Sequence, residues 1–234
     1  MSGSYLHGLG RFIDYHLQKY SQATHCYIKN SFILKQLLIT LPPLPPTARL
    51  FTADAISLYA NIDINDALPR IKKLLIREYN KNPSTHEIKP TQLHRALTIV
   101  MRHDIFEFGD TYWFQRTGCA MGTPPACSYA TLYFSDHESK ATTMLPELIF
   151  QKRFIDDLFG IWVPASQQQI NHPTDSQRWQ LYQQYMNQCG ILRWEFSTRQ
   201  KSVDYLNLTI AINKDGTICT TSLPVPTTFL LPPY

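Results

Sequence analysis

Phe154-Ile155-Asp156-Asp157 sets two adjacent carboxylates between two apolar, β-favouring runs, Gln151 to Ile155 and Leu158 to Val163. Successive side chains on a strand point to opposite faces, so neighbouring acids diverge; at a hairpin tip both can approach one point. Two like charges held there repel unless a cation lies between them. A two-metal site needs a further carboxylate from another strand, and the apolar segment Leu50-Phe51-Thr52-Ala53-Asp54 ends on one. Read alone, Asp156 and Asp157 are more simply an acidic turn and Asp54 a helix or turn cap, since short acidic motifs arise often by chance. The intervening sequence changes that balance.

Between the acids runs Gln115-Arg116-Thr117-Gly118-Cys119-Ala120-Met121-Gly122-Thr123-Pro124-Pro125-Ala126, followed by Cys127-Ser128-Tyr129-Ala130-Thr131-Leu132-Tyr133-Phe134. Two glycines and two prolines make a loop, and the prolines can open the helix that follows. Such a loop lets backbone approach a base or sugar closely. It reads equally as an ordinary connection into an amphipathic helix packed by Ala130, Leu132, Tyr133 and Phe134.

The order Asp54, Gly/Pro loop and helix, then Phe-Ile-Asp-Asp resembles motifs A, B and C of reverse transcriptases. Thr52 to Ile62, Ala120 to Pro124, Arg153 to Trp162 and Val203 to Ile210 look like those of the Penelope-like retroelement group, and Gly10 to Gln18 is similar to the helix preceding motif A there. The resemblance runs from Leu6 to Ile218. It implies an α+β fold, the palm of a right-hand polymerase, with an antiparallel sheet and helices packed on one face. The function it implies is RNA-directed DNA polymerase of a retrotransposable element, by two-metal nucleotidyl transfer, with RNA template, DNA primer and dNTPs as partners. Asp54 and Asp156 would ligate two Mg²⁺ ions, or Mn²⁺ in their place, with Asp157 in support. Backbone from Ala55 through Ile56 and Ser57 to Leu58 would lie beside the triphosphate, and Gly122 beside the templating base and incoming sugar. Tyr59 stands where reverse transcriptases place a ring beneath the sugar; a bulky ring there excludes the 2′-hydroxyl that separates RNA from DNA precursors. Lys201 is the nearest candidate for a general acid, although a solvated surface lysine is the simpler reading.

The resemblance divides the chain into N-terminal helices over residues 1–47, a palm over 48–221 and a Pro-rich tail over 222–234. Little chain precedes Asp54, and neither a helical thumb nor a nuclease domain follows Thr221. Fingers and thumb are expected to be largely missing or supplied by other chains, and the alternative is a catalytically incomplete remnant or nucleic-acid-binding module of the same fold.

Composition agrees without discriminating. The chain has 234 residues, 44% of them hydrophobic, enough to bury a sizeable core. A net charge of +4 permits a nucleic-acid partner without demanding one. Arg70, Lys72, Lys73 and Arg77 form one basic cluster, read as a solvated helix face, while Lys152-Arg153 sits where it would suit a primer-template backbone. The 5 cysteines contain no C-x-x-C pair, so neither a disulfide framework nor a zinc site is suggested, and a reducing compartment is expected. His137, beside Glu138, reads as part of a polar face. No secretory signal opens the chain, and the longest apolar stretch, Phe32 to Leu41, is interrupted by Lys35 and Gln36. The expectation is a soluble intracellular protein with no membrane association.

Helical spacing of Leu6, Leu9, Phe12, Ile13, Leu17 and Tyr20 predicts a first helix, and Asn30 can cap a second. Pro42 to Pro46 is a stiff connector. A strand over Arg49 to Ala53 follows, then a helix capped by Asp66 through Tyr79 with Pro69 in its first turn, and an amphipathic segment from Thr91 to His103. Gly109-Asp110 signals a hairpin between Ile105–Phe108 and Thr111–Gln115. Beyond the acidic pair come a Gln-rich loop from Ala165 to Thr174, a helix from Gln177 to Cys189, and strands at Arg193 to Ser197, Tyr205 to Asn213 and Thr217 to Thr221.

Overall fold

The computed structural model describes residues 5–103, 105–164 and 174–223. In chain order its elements are α1 (Tyr5–Gln22), α2 (Ser31–Ile39), β1 (Arg49–Ala55), α3 (Ile64–Lys81), α4 (Pro90–Arg102), β2 (Ile105–Phe108), β3 (Thr111–Phe114), α5 (Ala126–Met144), β4 (Leu148–Phe154), β5 (Asp157–Trp162), α6 (Asp175–Met186), β6 (Trp194–Phe196), β7 (Ser202–Tyr205), β8 (Leu208–Ile212) and β9 (Ile218–Ser222). The central sheet runs β4-β5-β1-β6 with every pairing antiparallel. A second sheet, β7-β8-β9, and the β2-β3 hairpin complete the strands among the described residues.

Alternation along β1 assigns the two faces of the central sheet. Phe51, Ala53 and Ala55 join Leu158 and Trp162 of β5 in a core built with α1 and α3–α6. Leu50 joins Phe159 and Ile161 in a separate core, closed by Leu34 and Leu38 of α2 and by Tyr205, Leu208 and Ile210 of the second sheet. The sheet is therefore buried on both sides, with most helices on one face and a sheet plus α2 on the other. Asp54 continues the second face beyond the end of that core.

Helix starts follow their caps. Asn30 accepts the amide of Ile33 at 3.0 Å to begin α2, and Thr174 and Gln177 form a reciprocal capping box on α6. The third helix departs from expectation: Asp63, not Asp66, is its N-cap, which places Pro69 inside the helix. Asp66 instead accepts from Arg70 at 2.7 Å and from the Tyr133 hydroxyl at 2.9 Å. Residues Ser128 to Ser135 of α5 are all buried, so this stretch is a central helix rather than an amphipathic one.

The first strand runs two residues further than the apolar pattern suggests, through Asp54 to Ala55, because β6 pairs with both and β5 with Asp54. The expected strand Tyr205 to Asn213 is β8 from Leu208 onward, while Tyr205 ends a further strand, β7, and the chain folds back at Leu206-Asn207. Leu206 takes φ 52° there, a conformation usually left to glycine, which is why no turn signal marked the place. The Gln-rich loop and the Pro-rich tail lie outside the described residues except for their ends. No described helix is long and apolar enough to cross a membrane.

Candidate active site

Asp54 faces Asp157 across the β1–β5 pair and Glu195 across the β1–β6 pair. Laterally paired residues share a sheet face, so the three carboxylates form a row over three strands. Asp156 occupies the turn joining β4 to β5, and its carbonyl accepts the amide of Ala55 at 3.1 Å, tying that turn to the end of β1. Burial and then repulsion from Asp156 and Glu195 raise the pKa of Asp54; burial and then Asp156 and Asp54 raise that of Asp157. The three acids expected from sequence are thus gathered at one end of the sheet. Glu195 was not anticipated, although the alternation of Trp194-Glu195-Phe196, aromatic residues inward and acid outward, is the signal that carries it.

Asp54, Asp157 and Glu195 line an open groove of about 360 Å³ that also takes in Asp204 and Tyr205. A larger groove, about 540 Å³, lies between α3 and α5 and is lined by Arg70, Lys73, Arg77 and Lys140. Size does not mark the chemistry here, since Arg70 is paired with Asp66 and both Arg77 and Lys140 with Asp136.

Mg²⁺ is a hard cation that takes oxygen donors, and it is commonly held by one or two carboxylates together with water and substrate phosphates rather than by a full protein cage. Among the described residues no group of three Asp, Glu, His or Cys side chains converges to hold an ion. The donor set fits a cation of this kind all the same: every candidate ligand is a carboxylate, and burial followed by mutual repulsion raises the proton affinity of Asp54 and Asp157. Asp54 and Asp156 are the residues that would hold it, with Asp157 beside them.

The hairpin carrying the acids is strained. Ile155, β-branched, has φ 55° at the first position of a two-residue turn, where glycine is the usual occupant. Its carbonyl accepts from Nη1 of Arg153, whose guanidinium lies fully buried on the helical face. The same group donates to Glu138 through Nε and Nη2, both at 2.8 Å, and to the carbonyl of Thr131 at 3.1 Å. Arg153 is therefore committed to the interior and does not present a charge to a nucleic-acid backbone. Lys152 likewise donates to the carbonyl of His25. Nor is His137 on a polar face: its ring stacks on Tyr185 at 4.2 Å and Nε2 lies 2.6 Å from the Tyr185 carbonyl.

After Asp54 the chain turns through Ser57 at φ 48°. The Ala55 and Ile56 amides are already donated, to the carbonyls of Asp156 and Arg193. Tyr59 is half-buried and its hydroxyl lies 3.2 Å from Sγ of Cys127, at the start of α5. The Gly/Pro loop docks beneath it: the Cys119 amide donates to the Tyr59 carbonyl at 2.7 Å. Gly118 at φ 74° lies so close to that carbonyl that a Cβ would come within 2.7 Å of it. Gly122, at φ 100°, is exposed with open space where a Cβ would stand. Lys201 is set apart from this end: it follows Gln200, which bridges Leu50 four residues before Asp54, and it donates to the carbonyl of Pro46.

No protein-family model matches the chain, and no curated protein matches it. Its fold is that of nucleic-acid polymerases. Apo telomerase from Candida tropicalis, truncated from its C-terminal domain, superposes with a TM-score of 0.61 at 12% identity, over 94% of this chain and 46% of that one. Telomerase from Candida albicans, in a complex with a fragment of telomeric RNA, gives 0.59 at 11% identity, over 95% and 40%. An RNA-dependent RNA polymerase solved with vp4 and dsRNA gives 0.54 at 14%, over 90% and 20%. The chain thus spans less than half the length of these proteins.

Proposed function

We propose that this chain is the palm of an RNA-directed DNA polymerase of a Penelope-like retrotransposable element, acting on an RNA template, a DNA primer and dNTPs, with fingers and thumb supplied by further chain or by partner chains. The observation that carries the reading is the placement of Asp54 opposite Asp157 with Asp156 on the adjoining turn, in a groove that also takes in Glu195 and Asp204. Bound Mg²⁺ would supply Lewis-acid activation of the primer 3′-hydroxyl and charge neutralisation on the triphosphate. Asp54 and Asp156 would hold the ions in this reading, with Asp157 in a supporting part beside them. The Ser57 and Leu58 amides meet the triphosphate. The Tyr59 ring, fixed by its contact with Cys127, fills the space that a 2′-hydroxyl would need, which selects deoxynucleotides.

A second reading, a nucleic-acid-binding module without chemistry, is favoured by the absence of three convergent metal-binding side chains among the described residues. Primer extension on an RNA template with Mg²⁺ and dNTPs separates the two. The polymerase reading expects extension by the wild-type chain and none by the Asp156→Ala, Asp157→Ala variant. Folded wild-type protein that binds primer-template and never extends it would sink autonomous polymerase activity and leave the second reading or one part of a larger assembly.

A further inference from the structure

Phe154 and Asp157 are the two residues that flank the Ile155-Asp156 turn and pair across it. The hydroxyl of Tyr205 sits between their backbones: it accepts the Phe154 amide at 3.2 Å and donates to the Asp157 carbonyl at 2.8 Å. Tyr205 is the last residue of β7, is 4% exposed, and reaches the turn from the face opposite Arg153. A residue with φ 55° and a branched Cβ persists only where its surroundings over-determine it. Here the turn is gripped on one face by a guanidinium on the Ile155 carbonyl and on the other by a hydroxyl bridging both limbs.

We propose that Tyr205 is a positioning residue, whose hydroxyl holds the Ile155-Asp156 turn in its strained form and so sets where Asp156 and Asp157 stand relative to Asp54. The clamp itself is geometric; its consequence for a divalent cation rests on the polymerase reading above. A phenol hydroxyl donates and accepts at once, which is what bridging the two limbs requires. Its stem packs against Phe159, with ring centroids 5.6 Å apart, so removing the oxygen leaves the packing in place.

Tyr205→Phe is therefore the test, with Tyr182→Phe as control, because Tyr182 is likewise buried and loses its hydrogen bond to Gln151 without touching the turn. Amide exchange read residue by residue and Mn²⁺ binding read by electron paramagnetic resonance are followed on the folded proteins. In Tyr205→Phe the Phe154 amide is expected to exchange at least about tenfold faster while that of Ile28, bonded to the Arg153 carbonyl, keeps its protection. Mn²⁺ affinity is expected to fall roughly 3- to 10-fold, the worth of about one of the two hydrogen bonds removed, and to stay at the wild-type value in Tyr182→Phe. Unchanged Phe154 exchange in a folded Tyr205→Phe variant would overturn the clamp, as would unchanged Mn²⁺ affinity where Asp156→Asn abolishes binding. Wild-type protein whose Mn²⁺ binding is indifferent to Asp156→Asn would instead count against the metal-dependent reading, and Phe154 exchange would then decide the clamp alone.

Discussion

Phe51 on β1 closes over Gly160 on β5: the two are partners across the strand pair, and a Cβ built on Gly160 would fall 2.2 Å from Cζ of the Phe51 ring. Glycine in a strand usually weakens it, and its presence here is explained by close approach of the ring. Phe51 in turn contacts Trp179 and Tyr182 of α6 edge-on, at 4.8 and 5.6 Å between centroids, so it cannot retreat without disturbing that aromatic cluster. Gly160→Ala is expected to destabilise the fold by about 1–3 kcal/mol through overpacking. Urea denaturation measures this directly, and a variant as stable as the parent would mean the ring has room to move.

The buried pair of Arg153 and Glu138, with side chains 2% and 0% exposed, behaves differently from the surface pairs on α3. Removing one partner strands the other charge in the core. Arg153→Met should therefore cost about 3–5 kcal/mol, whereas Arg153→Met with Glu138→Leu should recover much of that loss. Equal instability of the single and double variants in chemical denaturation would contradict this account.

How much of the site was readable from sequence depended on the range of each signal. Asp54 and the Asp156-Asp157 turn are local patterns, an acid ending an apolar strand and a charged pair between two, and both landed at one end of the sheet. The hairpin at Gly109-Asp110 was equally legible, with Gly109 at φ 61°. The turn at Leu206 was not, because its conformation is imposed by pairing of β7 with β8 against the central sheet rather than by its own residue type. Arg153 was misread for the same reason: a basic residue beside an acidic turn looks exposed until Glu138, on a helix folded against the strand, is known to face it. Glu195 became visible only once β6 was placed next to β1.

Asp54 has carboxylates opposite it on both neighbouring strands, and its raised proton affinity means that ionisation at neutral pH acts against folding. Neutralising it should relieve that repulsion. Asp54→Asn is expected to raise Tm at pH 7 and low ionic strength relative to wild type. Millimolar Mg²⁺ should raise the wild-type Tm while leaving the variant unmoved, since a ligand that binds only the folded state stabilises it by mass action. Thermal scans with and without the ion check both parts, and a variant that gains as much from Mg²⁺ as the parent would remove Asp54 from the cation site.

Glu147, between α5 and β4, grips the start of α6 by accepting from Nε and Nη2 of Arg178 at 2.8 and 2.9 Å. Burial alone would raise its pKa, but the Arg178 fork outweighs burial and holds the carboxyl below its ordinary 4.5. With the folded-state value depressed, the unfolded chain binds the proton more readily, so this pair stabilises the fold above the ordinary carboxylate range and loses its effect as pH falls through the folded value. Glu147→Gln should cost about 1–3 kcal/mol at pH 7, and the gap from wild type should close progressively below pH 4.5. Denaturation of both proteins across that interval tests the sign: a difference that stays constant into acid would show that Glu147 acts through packing rather than through its charge.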